Sequence, residues 1–150
     1  MAKPFRLQPL LDLASHRSDS AAKYLSALKN RWSEEEQKLE TLYRYREEYR
    51  AKLKTRTANG MHAVAWRDFR LFLEKIENAI MQQLDAVAQA KQTWELGKRE
   101  WLQQRRKLKA YDTLAQRHRR NETRRQAGKD QTEQDEFAST LVRQRAEPSE

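Results

Sequence analysis

Between residues 8 and 115, apolar side chains recur at alternating intervals of three and four, and the pattern breaks at one place. The first series runs through Leu11, Ala14, Ser18, Ala21, Leu25, Leu28, Trp32, Glu35, Leu39, Leu42, Arg46, Tyr49 and Leu53, with Ser18, Glu35 and Arg46 its polar members. The second runs through Trp66, Phe69, Leu73, Ile76, Ile80, Gln83, Val87, Ala90, Trp94, Gly97, Trp101, Gln104, Leu108, Tyr111 and Ala115. Lys, Arg, Glu, Gln and Ser dominate the positions between. Such spacing lines up one stripe on a helix, the seam of a coiled coil. Pro9 suits a first helical turn, where its missing N–H would have no partner anyway, so the first helix is predicted over residues 8–57. The interruption is Thr57-Ala58-Asn59-Gly60-Met61, and Gly and Asn are the residues that best tolerate the left-handed backbone past a helix end. It predicts a turn over 58–61 and a second helix over 62–115, an arm from Gln8 to Thr57 being roughly 75 Å long.

If the chain doubles back there, the two stripes must fit. Antiparallel partners have residue numbers that add to a constant, and a constant of about 122 sets Tyr49 against Leu73, Arg46 against Ile76, Leu42 against Ile80 and Trp32 against Ala90. The same register sets Leu28 against Trp94, Leu25 against Gly97, Ala21 against Trp101, Ser18 against Gln104, Ala14 against Leu108 and Leu11 against Tyr111. Two of the three Trp in this register thus face Ala, and a large residue opposite a small one keeps the volume of a layer constant. The fold class predicted is all-α, a long antiparallel two-helix coiled-coil hairpin. Residues 1–7 read as an N-terminal extension. Past Ala115 no partner arm remains, and only Phe137, Leu141 and Val142 offer apolar surface, so 116–150 reads as a helical overhang with a frayed tail.

Composition narrows the function. The chain has 37% apolar and 35% charged residues, three Gly and three Pro in 150 residues, which suits a narrow core better than a thick one. It has no Cys, hence no disulfide framework or thiolate chemistry. No apolar run approaches the roughly 20 residues of a membrane span, and the start lacks the apolar region of a signal peptide, so a cytoplasmic location is expected. His16, His62 and His118 are too widely spaced to share a metal, and no glycine-rich phosphate loop or fixed carboxylate pair appears. Neither an enzyme nor a cofactor is expected.

Two surfaces carry the functional expectation. The net charge of +9 is concentrated between Lys98 and Arg125, with Arg105, Arg106, Lys107, Lys109, Arg117, Arg119 and Arg120 as candidate contacts. Such a run is either a solvated helix face or a site for an acidic protein surface or nucleic acid. Trp94, Trp101 and Tyr111 are needed by the seam and are not free to stack on bases, which favours protein. The second surface lies nearer the turn. Lys38, Leu42, Tyr45 and Tyr49 share one spacing, and Phe72, Ile76, Ala79 and Gln83 share it on the other arm, with Lys38 meeting Gln83. Tyr45 and Phe72 fall off the strict seam; they either broaden the core or form an exposed partner site.

The chain resembles the flagellar export protein family FliJ. The stretches that carry the resemblance are Leu10-Leu11-Asp12-Leu13-Ala14 with Ala21-Ala22 and Leu25, Tyr45 with Glu48-Tyr49-Arg50, and Asn59-Gly60 followed by Trp66-Arg67. Further on come Phe72 with Glu77, Ala79-Ile80 and Gln82, then Leu108-Lys109-Ala110 with Thr113-Leu114, then Asp135-Glu136-Phe137-Ala138. The resemblance implies a hairpin similar to the central stalk of rotary ATPases, peripheral to the inner membrane through its partners. Those partners are the export ATPase FliI, the cytoplasmic domain of the export gate FlhA and export chaperones, with no small-molecule substrate. It also implies that Phe72, Ile76, Ala79 and Gln83 contact the gate, that Lys38, Leu42, Tyr45 and Tyr49 adjoin them, and that the ring meets the basic open end. Members can carry Gln where this chain has Lys38 and His where it has Gln83. The alternatives are a basic coiled coil that binds nucleic acid and the stalk component of a virulence-type secretion system.

Overall fold

The computed structural model describes residues 2–146 as two helices, α1 (Gln8–Ala58) and α2 (Ala63–Ala146). They contribute to two compact units, Asp19–Gln103 and Met1–Ser18 with Gln104–Glu150. Met1 of the expected extension and residues 147–150 of the expected tail lie outside the described residues. Among the described residues there is no strand, and no helix is long and apolar enough to cross a membrane.

The unit Asp19–Gln103 is a helical hairpin with its turn at residues 59–62. Asn59 N–H donates to the Thr55 carbonyl at 3.2 Å and Gly60 N–H to the Thr57 carbonyl at 3.3 Å, so the last carbonyls of α1 are partly satisfied as the chain leaves the helix. Gly60 has a φ of +84°, a conformation that a Cβ disfavours, which is why glycine ends the arm. Of the seam positions in this unit, Leu28, Ile76, Ile80 and Ala90 are buried and the rest, apart from Trp66, are half-buried. A large aliphatic side chain fully removed from water contributes about 1.5–3 kcal/mol, whereas an exposed ion pair contributes about 0–1 kcal/mol. Packing along the seam therefore decides the pairing.

The register follows the expected one. A Cβ built on Gly97 would lie 2.6 Å from Leu28 Cδ1 and 3.7 Å from Leu25 Cδ1, so glycine leaves the notch that these leucines occupy. Trp32 does more than cover Ala90: its ring reaches Trp94, with centroids 5.2 Å apart, and Lys29 Nζ sits 4.0 Å over it. Trp66 departs from expectation. It lies in the first turn of α2, three residues after Ala63 and beside the last turns of α1, and is 41% exposed with the Arg70 guanidinium 5.1 Å from its ring. Periodicity alone does not register that a seam position beside a turn has fewer neighbours to cover it.

In the unit of Met1–Ser18 with Gln104–Glu150, Ala14, Ser18 and Ala115 are buried, and Leu11, Gln104, Leu108 and Tyr111 half-buried. Here the sequence expectation is corrected, because cover does not end at Ala115. Residues 2–7 form a non-helical strap over the next two seam positions, His118 and Glu122. Lys3 N–H donates to Glu122 Oε2 at 3.2 Å, His118 Nε2 lies 2.7 Å from the Lys3 carbonyl, and the Phe5 and His118 rings are 5.6 Å apart. Gln8 N–H then donates to the Phe5 carbonyl at 3.1 Å and starts α1. From residue 123 to 146 α2 is exposed on all sides but remains helical, held by local bonds such as Gln126 to Asp130 and Gln131 to Asp135. The overhang expected from residue 116 is a continuous helix through Ala146.

Two outcomes are expected. Gly97→Val overfills the Leu28 notch and lowers stability by about 1–3 kcal/mol, and chemical denaturation of the Gly97→Val, Leu28→Ala double variant gives a loss smaller than the sum of the single losses. Glu122 is held below its ordinary pKa of 4.5, first by the Lys3 N–H and then by Arg125, His118 and the Lys3 charge, partly offset by burial. Its contribution is fully present above pH 4.5 and declines as pH falls through the lower folded value. Lys3 amide exchange therefore accelerates in acid, after correction for intrinsic exchange, and Glu122→Gln removes that pH dependence.

Candidate functional site

Near the turn, the two helices present unlike flanks on either side of their seam. Tyr45 and Phe72 stand one position off the seam residues Arg46 and Leu73, so neither can enter the core fully. Tyr45 is 57% and Phe72 45% exposed, while Ile76 beneath them is buried and Leu42, Tyr49 and Ala79 are half-buried. The Tyr49 ring lies 4.5 Å from that of Phe72 and 5.0 Å from that of Phe69, tilted against both. Phe72 is therefore an exposed ring backed by a half-buried one, a rigid apolar surface with little rotamer freedom to lose on binding.

The polar end of this flank is organised by a residue the sequence reading placed only in the seam. Lys38 and Gln83 meet through Glu35. Gln83 Nε2 donates to the Glu35 main-chain carbonyl at 2.9 Å and also to the Glu35 carboxylate, and Lys38 Nζ lies 3.5 Å from Glu35 Oε1. Glu35 is held below its ordinary pKa of 4.5, chiefly by the Gln83 amide and then by the charges of Lys38 and Arg31, against the opposing effect of burial. Beside this joint a shallow groove runs over Gln37, Lys38, Thr41, Leu42, Tyr45 and Gln83. All eight residues expected on this surface thus lie on one hairpin, and Glu35 ties its two strips together.

The opposite flank is ionic. Arg50 Nη2 lies 2.9 Å from Glu77 Oε1, Arg46 Nη1 3.5 Å from Glu77 Oε2, and Arg50 Nη1 3.3 Å from Glu47 Oε1. The Arg46 guanidinium also covers the Tyr43 ring at 4.9 Å. Spacing marked Arg46 as a polar seam residue; its partner Glu77 could have been found as the nearest acid across the predicted register. A second groove, between Tyr24, Arg31 and Glu35 on α1 and Ala86, Gln89 and Thr93 on α2, was not anticipated. It opens where Ala86 and Ala90 provide little bulk.

The basic residues divide by their angular position on α2. All seven candidates are exposed. Seam positions Leu108, Tyr111 and Ala115 face inward, and helical geometry places Arg106, Lys109, Arg117 and Arg120 on the outer side, with Arg124 one turn further along. Arg105, Lys107 and Arg119 stand on the flanks, Arg119 beside the strap in a groove with Ala2, Lys3 and Glu122. Among the described residues, no group of three or more His, Cys, Asp or Glu is disposed to hold a metal ion.

Comparison with known proteins adds the family to this geometry. A family model described as "Flagellar FliJ protein" matches residues 2–147. A flagellar FliJ protein of Salmonella typhi is 30% identical, and one of Escherichia coli (strain K12) 27%, each alignment covering 98% of this chain and 100% of the relative. Among solved structures, one described as a YscO homolog, CT670, from Chlamydia trachomatis superposes with a TM-score of 0.66 over 97% of this chain and 99% of that one. At 17% identity that likeness bears on fold alone. With the family pattern running almost from end to end and full-length relatives at 27–30% identity, the chain belongs to the flagellar FliJ protein family.

Proposed function

We propose that this chain is a non-enzymatic component of the flagellar type III protein export apparatus that couples the export ATPase FliI to the export gate FlhA. In this reading Phe72, Ile76, Ala79 and Gln83 dock on the cytoplasmic domain of the gate, and Lys38, Leu42, Tyr45 and Tyr49 complete the contact. The basic residues Arg105, Arg106, Lys107, Lys109, Arg117, Arg119 and Arg120 meet the ATPase ring as a stalk would, and export chaperones engage the same protein. It acts from the cytoplasm and reaches the membrane through its partners. No cofactor is required, since any catalysis belongs to the ATPase.

The observation that carries the reading is the pair of exposed aromatics, Tyr45 and Phe72, displayed on a packed hairpin in a member of the FliJ family. A coupling element must keep its docking side chains fixed relative to its core, and the Tyr49 ring behind Phe72 supplies that support. Electrostatics agrees at the other site: a basic helix is steered toward an acidic surface and held there in a salt-dependent way. A nucleic-acid role has less support. Trp32 and Trp94 are turned onto each other and onto Lys29, and Trp101 is half-buried, so none is offered to a base.

Phe72→Ala combined with Tyr45→Ala is expected to weaken binding to the gate cytoplasmic domain at least tenfold by calorimetry, with helicity by circular dichroism unchanged; a fall in helicity would identify both rings as core instead. Arg117→Glu with Arg120→Glu, which leaves the strap contacts in place, is expected to lower stimulation of the export ATPase several-fold. Unaltered stimulation would move the ring contact elsewhere.

A further inference from the structure

We propose that the outer face of α2 from Arg106 to Arg124 is an adsorption surface for an anionic phospholipid bilayer. Arg106, Lys109, Arg117, Arg120 and Arg124 project away from the seam side of the helix, at intervals that keep them within one stripe, and each is exposed. The stripe spans about 27 Å at a rise of 1.5 Å per residue. Thr113 fills the one turn between Lys109 and Arg117. Neither of the two acids in this stretch shares the face. Asp112 accepts from Gln116 at 3.1 Å toward the flank, and Glu122 accepts from Lys3 N–H under the strap and pairs with Arg125 at 3.8 Å. Among the described residues, none of the five cations has a carboxylate within ion-pair distance.

Both the composition and the layout of the stripe point to phosphates spread over a plane. Four of the five cations are arginines, whose planar fork takes a phosphate through two parallel hydrogen bonds. A bilayer of anionic headgroups offers phosphates along the whole 27 Å, so every cation can be engaged together, each contributing about 1 kcal/mol, or roughly fivefold in affinity. Duplex nucleic acid offers them on two curved ridges separated by grooves about 12 Å and 6 Å wide. A row along one helix face meets those ridges only at crossings, this face has no aromatic side chain to stack on a base, and the amide beside it, Gln116, is turned onto Asp112 at 3.1 Å. The apolar side chain on this face, Ala110, is a single methyl group, so the protein would rest on headgroups, without the hydrocarbon insertion of an amphipathic surface helix. Four of the five cations, Arg106, Lys109, Arg117 and Arg120, are also the proposed ring contacts, so bilayer and ring would hold this face in alternation; the inference does not rest on the export reading, since the assay that tests it contains no other protein.

The test is co-sedimentation of the full chain with vesicles of phosphatidylcholine alone or with 30 mol% phosphatidylglycerol, about the anionic fraction of a cell membrane. Random-sequence duplex at the same salt forms a third arm. Binding to the anionic vesicles, weakening steeply with salt and falling by on the order of a hundredfold in Arg106→Gln, Arg117→Gln, Arg120→Gln, supports the proposal. The control is Arg17→Gln, Lys129→Gln, Arg143→Gln, which removes the same charge away from the stripe and should retain binding within a fewfold. Equal loss in both triple variants would show that net charge alone attracts the lipid and overturn the site. No binding to anionic vesicles at 100 mM salt, or tighter binding to the duplex, would also overturn it.

Discussion

Each helix of this protein has only one place to bury apolar surface, the stripe it turns toward the other. Among the described residues there is no second layer to take up side chains that miss, so a residue displaced by one position from the stripe is at most half-buried. That condition explains why the seam takes a glycine where two leucines converge. Leu25 and Leu28 close on Gly97, and a methyl group at that glycine would press into Leu28. It also explains why polar seam residues are tolerated where they find a partner across the interface: Arg46 reaches Glu77, and Glu35 takes the Gln83 amide.

The same condition creates two unlike surfaces. With a single narrow seam, the two positions beside it cannot both be core, and near the turn they are spent differently: aromatic on one flank, charged on the other. The charged flank adds little to stability, because its pairs are substantially exposed. What it adds is a preferred orientation, since Glu77 can satisfy both Arg46 and Arg50 only in one alignment of the helices. The aromatic flank is then held at a fixed angle to that alignment.

Much of this was legible in the sequence. Nearly every position of the three-four series is covered in the structure, because heptad spacing reports directly on which face of a helix is shielded. Tyr45 and Phe72 were recognisable by the same logic, as apolar residues out of step. What periodicity missed has a common cause, in that the contacts depend on chain ends and main-chain atoms. Trp66 keeps the spacing but sits beside the turn with little to cover it, and His118 and Glu122 keep the spacing with a strap that is not helical and so has no period to detect.

The strap has a consequence for what this family can change. It is the main chain of Lys3, its N–H to Glu122 and its carbonyl to His118, that fastens the strap to α2. Main-chain groups are the same in nearly every residue, so the identity of the side chain at that position is nearly free to drift, and a dye or affinity handle attached there would leave the clasp intact. Length is not free in the same way. Adding or removing one residue between position 3 and the start of α1 would present the wrong peptide group to both anchors, so relatives that share this clasp should tolerate substitutions in the strap far better than insertions or deletions.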